Sequence, residues 1–268
     1  MIRRLLALRA HIPLLMFLLV LAPFKDDDNL SWQAFGIALS FASLMAGIYL
    51  LNKTTDVLED SINVKSGPIG KHMHRRIRIT ALIAFTAPVV YLAMVGSVSL
   101  VALYALVACL GFFYSVPIRI GSVRYRLKEL IGIKTMTPAL IWALPPVGAN
   151  AIIANSLEPE NVLTFAVIFC VGAAMETVWD IRDAAGDLAS GIRTIPNTLG
   201  IGYARVLAVA LLLGAVLCGY LRGMNPYSFV AIAVSLAITL RVGAVSSALM
   251  YHAIVFVWIV ALTAFLLI

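Results

Sequence analysis

The sequence predicts an all-α protein: a polytopic membrane protein with nine transmembrane helices in a single bundle, forming one domain over residues 1–268. Three observations carry this expectation. First, 62% of the 268 residues are hydrophobic and 12% are charged, with a mean hydropathy of +0.99; a soluble domain holds roughly 45–50% apolar and about 25% charged residues. That composition excludes a water-soluble globular protein. Second, breaks at Pro, Gly and charge clusters leave nine apolar segments, none with the period-2 alternation of a barrel strand. In hydrocarbon, such segments satisfy their own backbone only as helices. Third, laying the segments alternately across a bilayer gathers nearly all basic residues on one face.

In order, the first segment, 9–24, follows Met1-Ile-Arg-Arg and has the basic start and apolar run of a signal peptide. No small-x-small cleavage site precedes Lys25-Asp-Asp-Asp28, so it is expected to be retained as the first span. The second, 31–52, runs directly into polar Asn52-Lys-Thr-Thr-Asp56. Segments 78–97 and 99–117 are divided only around Gly96-Ser97, the weakest boundary. The fifth, 133–153, follows a basic loop, and the sixth, 161–181, enters a second acidic run. Segments 202–221, 225–241 and 248–268 complete the set. Cys109, Cys170 and Cys218 lie inside apolar runs at no metal-ligand spacing and are read as small core residues.

With the N-terminus in the cytoplasm, 18 of the 20 Lys and Arg residues fall on the cytoplasmic face, and only Lys25 and Arg222 lie outside. This is positive-inside topology. A miscount by one span would alternate the basic loops between faces. The expectation is therefore a multi-pass integral membrane protein, in the inner membrane if bacterial, with its N-terminus and long loops cytoplasmic. The formal charge of +7 then reflects membrane topology, and no nucleic-acid partner is expected.

The acids are more selective. Seven of the eight cytoplasmic carboxylates sit in two runs, Asn52-Lys-Thr-Thr-Asp56-Val-Leu-Glu59-Asp60 and Glu176-Thr-Val-Trp-Asp180-Ile-Arg-Asp183-Ala-Ala-Gly-Asp187. Spacings of three and four place Asn52, Asp56 and Asp60 on one helix stripe, and Asp180, Asp183 and Asp187 on another. Like charges so placed repel, and a charge near the bilayer interior costs roughly 2.5–3.5 kcal/mol on the lenient insertion scale. One such stripe reads equally well as a solvated helix end. Two on the same face, each extending from an apolar span, point to a divalent cation. Hard oxygen donors without His or Cys suit Mg²⁺, which keeps several waters and binds substrate phosphate through one or two carboxylates.

Cations for a diphosphate are at hand between Tyr114 and Lys134, a stretch holding Arg119, Arg124, Arg126 and Lys128. Arg suits bidentate contact with phosphate and Lys a point-charge contact, although such clusters also anchor loops to anionic lipid. Lys134 begins an apolar segment and is placed to point into a cavity. Tyr114 reads either as a hydrogen-bond donor or as an interfacial anchor. His72 and His74 lack a further ligand nearby and are read as solvated. Neither a Gly-x-Ser-x-Gly elbow, a phosphate-binding loop nor a dinucleotide fingerprint is present.

Together these residues resemble the UbiA superfamily of intramembrane prenyltransferases. Asn52, Asp56 and Asp60 are similar to its first motif, Asn-Asp-x-x-Asp-x-x-x-Asp, and Asp183 and Asp187 to its second, Asp-x-x-x-Asp. Asp180 stands where related enzymes often have Asn or Asp. The run from Gly186 to Pro196 and the segment Tyr114-Ser-Val-Pro-Ile-Arg119 resemble two further family segments. Lys53 departs from the pattern, which commonly has an acid there; it is a candidate for diphosphate contact or for snorkelling to the interface.

The resemblance covers nearly the whole chain and implies Mg²⁺ as cofactor, held by Asn52, Asp56, Asp60, Asp180, Asp183 and Asp187. It implies catalytic roles for Asp56, Asp60, Asp183 and Asp187, and diphosphate contacts from Lys53, Tyr114, Arg119, Lys128, Lys134 and Arg193. The implied partners are a prenyl diphosphate, a lipophilic or aromatic acceptor and membrane lipid. The reaction would be C–O ionisation of an allylic prenyl diphosphate, then attack by an electron-rich, quinone-precursor ring. Terpene cyclisation and transfer to a non-aromatic acceptor are alternatives within the superfamily. A cation-coupled transporter is the alternative of another class, but its carboxylates usually lie near the midplane on broken helices.

Overall fold

Each of the nine apolar segments emerges as a helix in the computed structural model, which describes residues 11–25, 31–63, 71–95, 97–121, 123–243, 246 and 248–267. Arg3, Arg4, Arg9, Asp26, Asp27, Asp28, Lys65 and the Arg124 side chain lie outside the described residues. The helices are α1 His11–Leu21, running on as a 3-10 turn Ala22–Phe24; α2 Trp32–Thr55; α3 Val57–Asn63; α4 Lys71–Met94; and α5 Val98–Ser115. Next come strands β1 Ile118–Ile120 and β2 Val123–Tyr125, a 3-10 turn Leu127–Glu129, and α6 Ile133–Ala154. The chain continues with α7 Pro159–Ala189, α8 Ile195–Thr198, α9 Ile201–Arg222, α10 Pro226–Arg241 and α11 Ala248–Leu267.

Seven of these, α2, α4, α5, α6, α7, α9 and α11, are long and apolar enough to cross a membrane. The other two expected spans, α1 with its 3-10 extension and α10, are shorter. At 16 residues α10 measures about 24 Å, against a hydrocarbon slab of about 30 Å. Helix alone does not describe the α5–α6 connection. There, β1 and β2 pair antiparallel with Ile118 opposite Tyr125 and Ile120 opposite Val123. The β-branched residues alternate with Arg119 and Arg124, and Gly121 takes φ +63° at the turn, where a side chain would be strained.

Neighbours in the chain pack on one another around the bundle: α1 on α2, α2 on α4, then α5, α6, α7, α9, α10 and α11 in turn, with α11 closing against α1. Buried Trp142, Tyr104 and Phe41 fill the interior, while Leu82, Val90 and Val206 are exposed along the outside. Cys109 is also exposed, which corrects its reading as a core residue; Cys170 and Cys218 are half-buried. Pro88 inside α4 lacks an N–H and so frees the Ala84 carbonyl four residues earlier. Two neighbours repair this: Ser43 Oγ donates to Ala84 O at 3.3 Å and Tyr104 OH at 3.2 Å.

The helices also have marked ends. Ser31 and Ser97 accept from the backbone N–H three residues on, Asn225 does the same for Ser228, and Pro159 and Pro226 start α7 and α10. Asn155 and Gly223 close α6 and α9 in left-handed conformation. All of these caps lie at the end of the bundle remote from the two acidic runs. The 31-residue α7 is about 46 Å long, roughly ten residues longer than a 30 Å slab needs, a length that allows the run Asp180 to Asp187 to stand outside the hydrocarbon.

Candidate functional site

At the end of α2 the backbone changes. Thr54 Oγ1 donates to Leu51 O at 2.9 Å and Thr55 Oγ1 to Asn52 O at 3.1 Å, so hydroxyls compete for the last carbonyls of the helix. Asp56 leaves helical geometry (φ −98°, ψ 32°) before α3 begins. The first stripe is therefore bent at Asp56 rather than continuous, though Asp60 N still bonds Asp56 O at 2.8 Å.

Asp56 Oδ1 receives Lys128 Nζ at 2.5 Å and Thr55 Oγ1 at 3.0 Å. Glu59 Oε1 is 3.2 Å from both Lys128 Nζ and an Arg126 terminal nitrogen, and Asp60 pairs with Lys53 at 2.7 Å. Burial lifts the Asp56 carboxyl above its ordinary range against the pull of Lys128. Burial pushes Glu59 the same way, but Lys128 and Arg126 outweigh it and hold that carboxyl below its ordinary range.

The second stripe is built on α7. Lys134 Nζ, from the first turn of α6, stands 2.9 Å from Asp180 Oδ1 and also bonds Asp187 Oδ2. Thr135 Oγ1 donates to Asp180 Oδ2 at 3.0 Å. Asp183 takes a two-pronged contact from Arg182, both bonds at 2.6 Å, and the guanidinium lies over the Trp179 and Tyr251 rings.

The two stripes meet where Asn63 Oδ1, on α3, accepts from Gly186 N at 2.8 Å. A Cβ on Gly186 would stand 2.5 Å from that amide, so a larger residue there would push the Asn63 side chain aside and cost the bond. Asn63→Ala is expected to cost about 1 kcal/mol and Gly186→Val about 1–3 kcal/mol through overpacking. Thermal unfolding in detergent reads both, and an unchanged Tm in the two variants would deny the clamp.

The structure thus brings together Asn52, Lys53, Asp56, Asp60, Lys128, Lys134, Asp180, Asp183 and Asp187 at one end of the bundle. Each acidic group is closed by a lysine, Lys128 from the α5–α6 connection and Lys134 from the first turn of α6. Tyr114 is buried beside them and lines, with Met45, Ile48, Tyr49 and Glu176, a cavity of about 50 Å³. Arg119 on β1 and Arg193 past α7 are exposed at the same end, and neither forms an ion pair among the described residues.

Sequence reasoning named Arg126 only as one cation of the basic loop, and did not select Asn63, Thr135, Arg182 or Ser115, whose hydroxyl bonds Asn52 Oδ1. Asn63 lies three residues past Asp60, so an extension of the stripe would have found it. Thr135 carries no such signal, because only the docking of α6 on α7 brings it to Asp180. Among the described residues no three His, Cys, Asp or Glu side chains stand close enough to grip a metal ion unaided. The arrangement is instead a set of hard oxygen acids, each held by a Lys or Arg side chain, above a cavity whose apolar and aromatic walls are joined by Asn52 and Glu176.

A model of the UbiA prenyltransferase family matches residues 11–251. Among solved structures, the chain is similar to a UbiA homolog from Archaeoglobus fulgidus bound to DMAPP and Mg²⁺, at 17% identity over 98% of this chain and 99% of that chain, with a TM-score of 0.67. It is similar to the apo structure of a UbiA homolog from Aeropyrum pernix K1 at 15% identity, covering 96% and 98% of the two chains, with a TM-score of 0.65. Digeranylgeranylglyceryl phosphate synthase matches at 14% identity over 98% and 95%, with a TM-score of 0.59. At such identities the likeness speaks for the fold alone. A search of curated proteins finds no match.

Proposed function

The chain belongs to the UbiA prenyltransferase family, and on that premise we propose that it transfers a prenyl group from an allylic prenyl diphosphate to an acceptor within the membrane, with Mg²⁺ as cofactor. The observation that carries this reading is the meeting of two acidic stripes at one end of an apolar bundle, joined by Asn63 and Gly186 and opening on a cavity beside Tyr114. Asn52, Asp56 and Asp60 on one side, and Asp180, Asp183 and Asp187 on the other, would hold the metal. Their chemistry fits: all are hard oxygen donors, and Mg²⁺ sites that take substrate phosphates need only one or two carboxylates each. When bound, Mg²⁺ neutralises charge on the diphosphate leaving group.

The chain's own cations do the same. Lys128 and Lys134 rest on Asp56 and Asp187; with those carboxylates engaged by a metal, the two ammonium groups would be free to bond phosphate oxygens, and Lys53 would follow from Asp60. Tyr114 OH offers a further donor. Exposed Arg119 and Arg193 attract the incoming dianion from water. Stabilising the departing diphosphate lowers the barrier to C–O ionisation, and the apolar walls Ile48 and Met45 keep water from the allylic cation.

The acceptor is an aromatic, quinone-precursor ring, the class that the family resemblance implies, and the rings of Tyr49 and Tyr114 beside the carboxylates offer it flat surface for offset or edge contact. The acid end faces the cytoplasm, supported by the gathering there of 18 of 20 basic residues. The test is to supply the protein in vesicles with a C10 allylic diphosphate, Mg²⁺ and a panel of phenols. Diphosphate release and a prenylated phenol by mass are expected, both lost on chelation. If no allylic diphosphate of any length is consumed, the reading is wrong.

A further inference from the structure

Behind the small cavity lies a larger one of about 380 Å³ that runs toward the opposite end of the bundle. Leu19, Val171, Met175 and Leu262 are among its walls, and Arg222 and Asn225 stand at its far mouth. One residue, Trp142, lines both cavities. Its side chain is 2% exposed and lies between the two spaces, eight residues along α6 from Lys134, or about 12 Å.

The indole is held from α7. The residue packs on α7 at Gly172, where a Cβ would meet Trp142 Cβ and Cδ1 at 3.5 Å, an ordinary van der Waals distance. One turn on, Glu176 Oε1 accepts from the indole N–H at 3.5 Å. The partition is therefore a large ring braced against a close helix contact, with apolar space of greater volume beyond it.

We propose that Trp142 sets the longest prenyl chain that the protein accepts. This rests on the reading that the substrate is an allylic prenyl diphosphate with its diphosphate at the carboxylates. The hydrocarbon then enters the small cavity and meets the indole within one or two isoprene units. Further units would have to displace the ring from the side of α7, whereas without the ring they pass into the larger cavity and bury their surface there.

The experiment is kcat/KM for diphosphate release from C5, C10, C15 and C20 allylic diphosphates, with the full chain in vesicles. The wild-type protein is expected to turn over C5 and C10 and to fall steeply beyond them. Trp142→Ala is expected to raise the C20-to-C10 ratio by about 10- to 200-fold, the range for a misfitted methylene in a tight apolar pocket. Trp142→Leu, which keeps an apolar filler, moves the ratio in the same direction by less and serves if the Ala variant does not fold.

Adding Val171→Trp to Trp142→Ala refills the far cavity and should restore discrimination, which a purely structural role for Trp142 would not produce. An unchanged C20-to-C10 ratio in Trp142→Ala and Trp142→Leu, with C10 still turned over, overturns the proposal and leaves the prenyl-transfer reading standing. Absence of release from every chain length by the wild-type protein removes both.

Discussion

Asp56→Ala and Asp183→Ala are each expected to lower Mg²⁺-dependent diphosphate release from a C10 allylic diphosphate by about 10²–10³-fold or more, the scale for losing one group that stabilises transition-state charge. Neither change should prevent folding, because each leaves the cation it exposes with another partner. Lys128 keeps Glu59 at 3.2 Å, and the Arg182 guanidinium keeps the Trp179 and Tyr251 rings. Asp56→Asn sharpens the test: it retains an oxygen for Lys128 but loses the charge, so it should share the activity loss with little change in Tm. Release at wild-type rates in both alanine variants would remove the proposed mechanism.

Lys134→Met should be the most destabilising single change at this end of the molecule. Lys134 is the one cation between Asp180 and Asp187 among the described residues, whose side chains are 6% and 4% exposed. Without it two buried carboxylates face each other uncompensated, and breaking a buried pair in this way typically costs about 3–5 kcal/mol. The expected result is a marked fall in Tm in metal-free buffer, partly recovered by millimolar Mg²⁺, because a divalent ion can replace the missing charge. Release of diphosphate should fall with it. An unaltered metal-free Tm would show that the acids are not held by Lys134 in the way described.

Much of the candidate site was legible before any coordinates. Asn52, Asp56 and Asp60, and Asp180, Asp183 and Asp187, were found because a helix returns to the same face every three or four residues, so spacing alone reveals a shared stripe. The same rule would have added Asn63. Which lysine closes on which acid was not legible: Lys128 meets Asp56 across 72 positions and Lys134 meets Asp187 across 53, separations over which no periodicity operates. The bend at Asp56 was missed for a local reason, since two adjacent threonines trade helical carbonyls for hydroxyl bonds. The β1–β2 ribbon was not legible because two three-residue strands in a basic loop are too short for an alternation to stand out from the charges around them.

The amino-acid sequence by itself determined that this chain is helical, apolar and one-sided in charge. A bilayer leaves the backbone no alternative to closing its hydrogen bonds within each segment, and hydropathy and spacing are properties of neighbours in the chain. Tertiary structure decided everything that depends on two helices coming together. It placed Ser43 and Tyr104 where Pro88 leaves a carbonyl without its helical donor, joined the two acidic stripes through Asn63 and Gly186, and set Trp142 between two cavities. Each of these follows from the depth and angle at which helices dock, and that geometry is settled by the packing of many side chains at once.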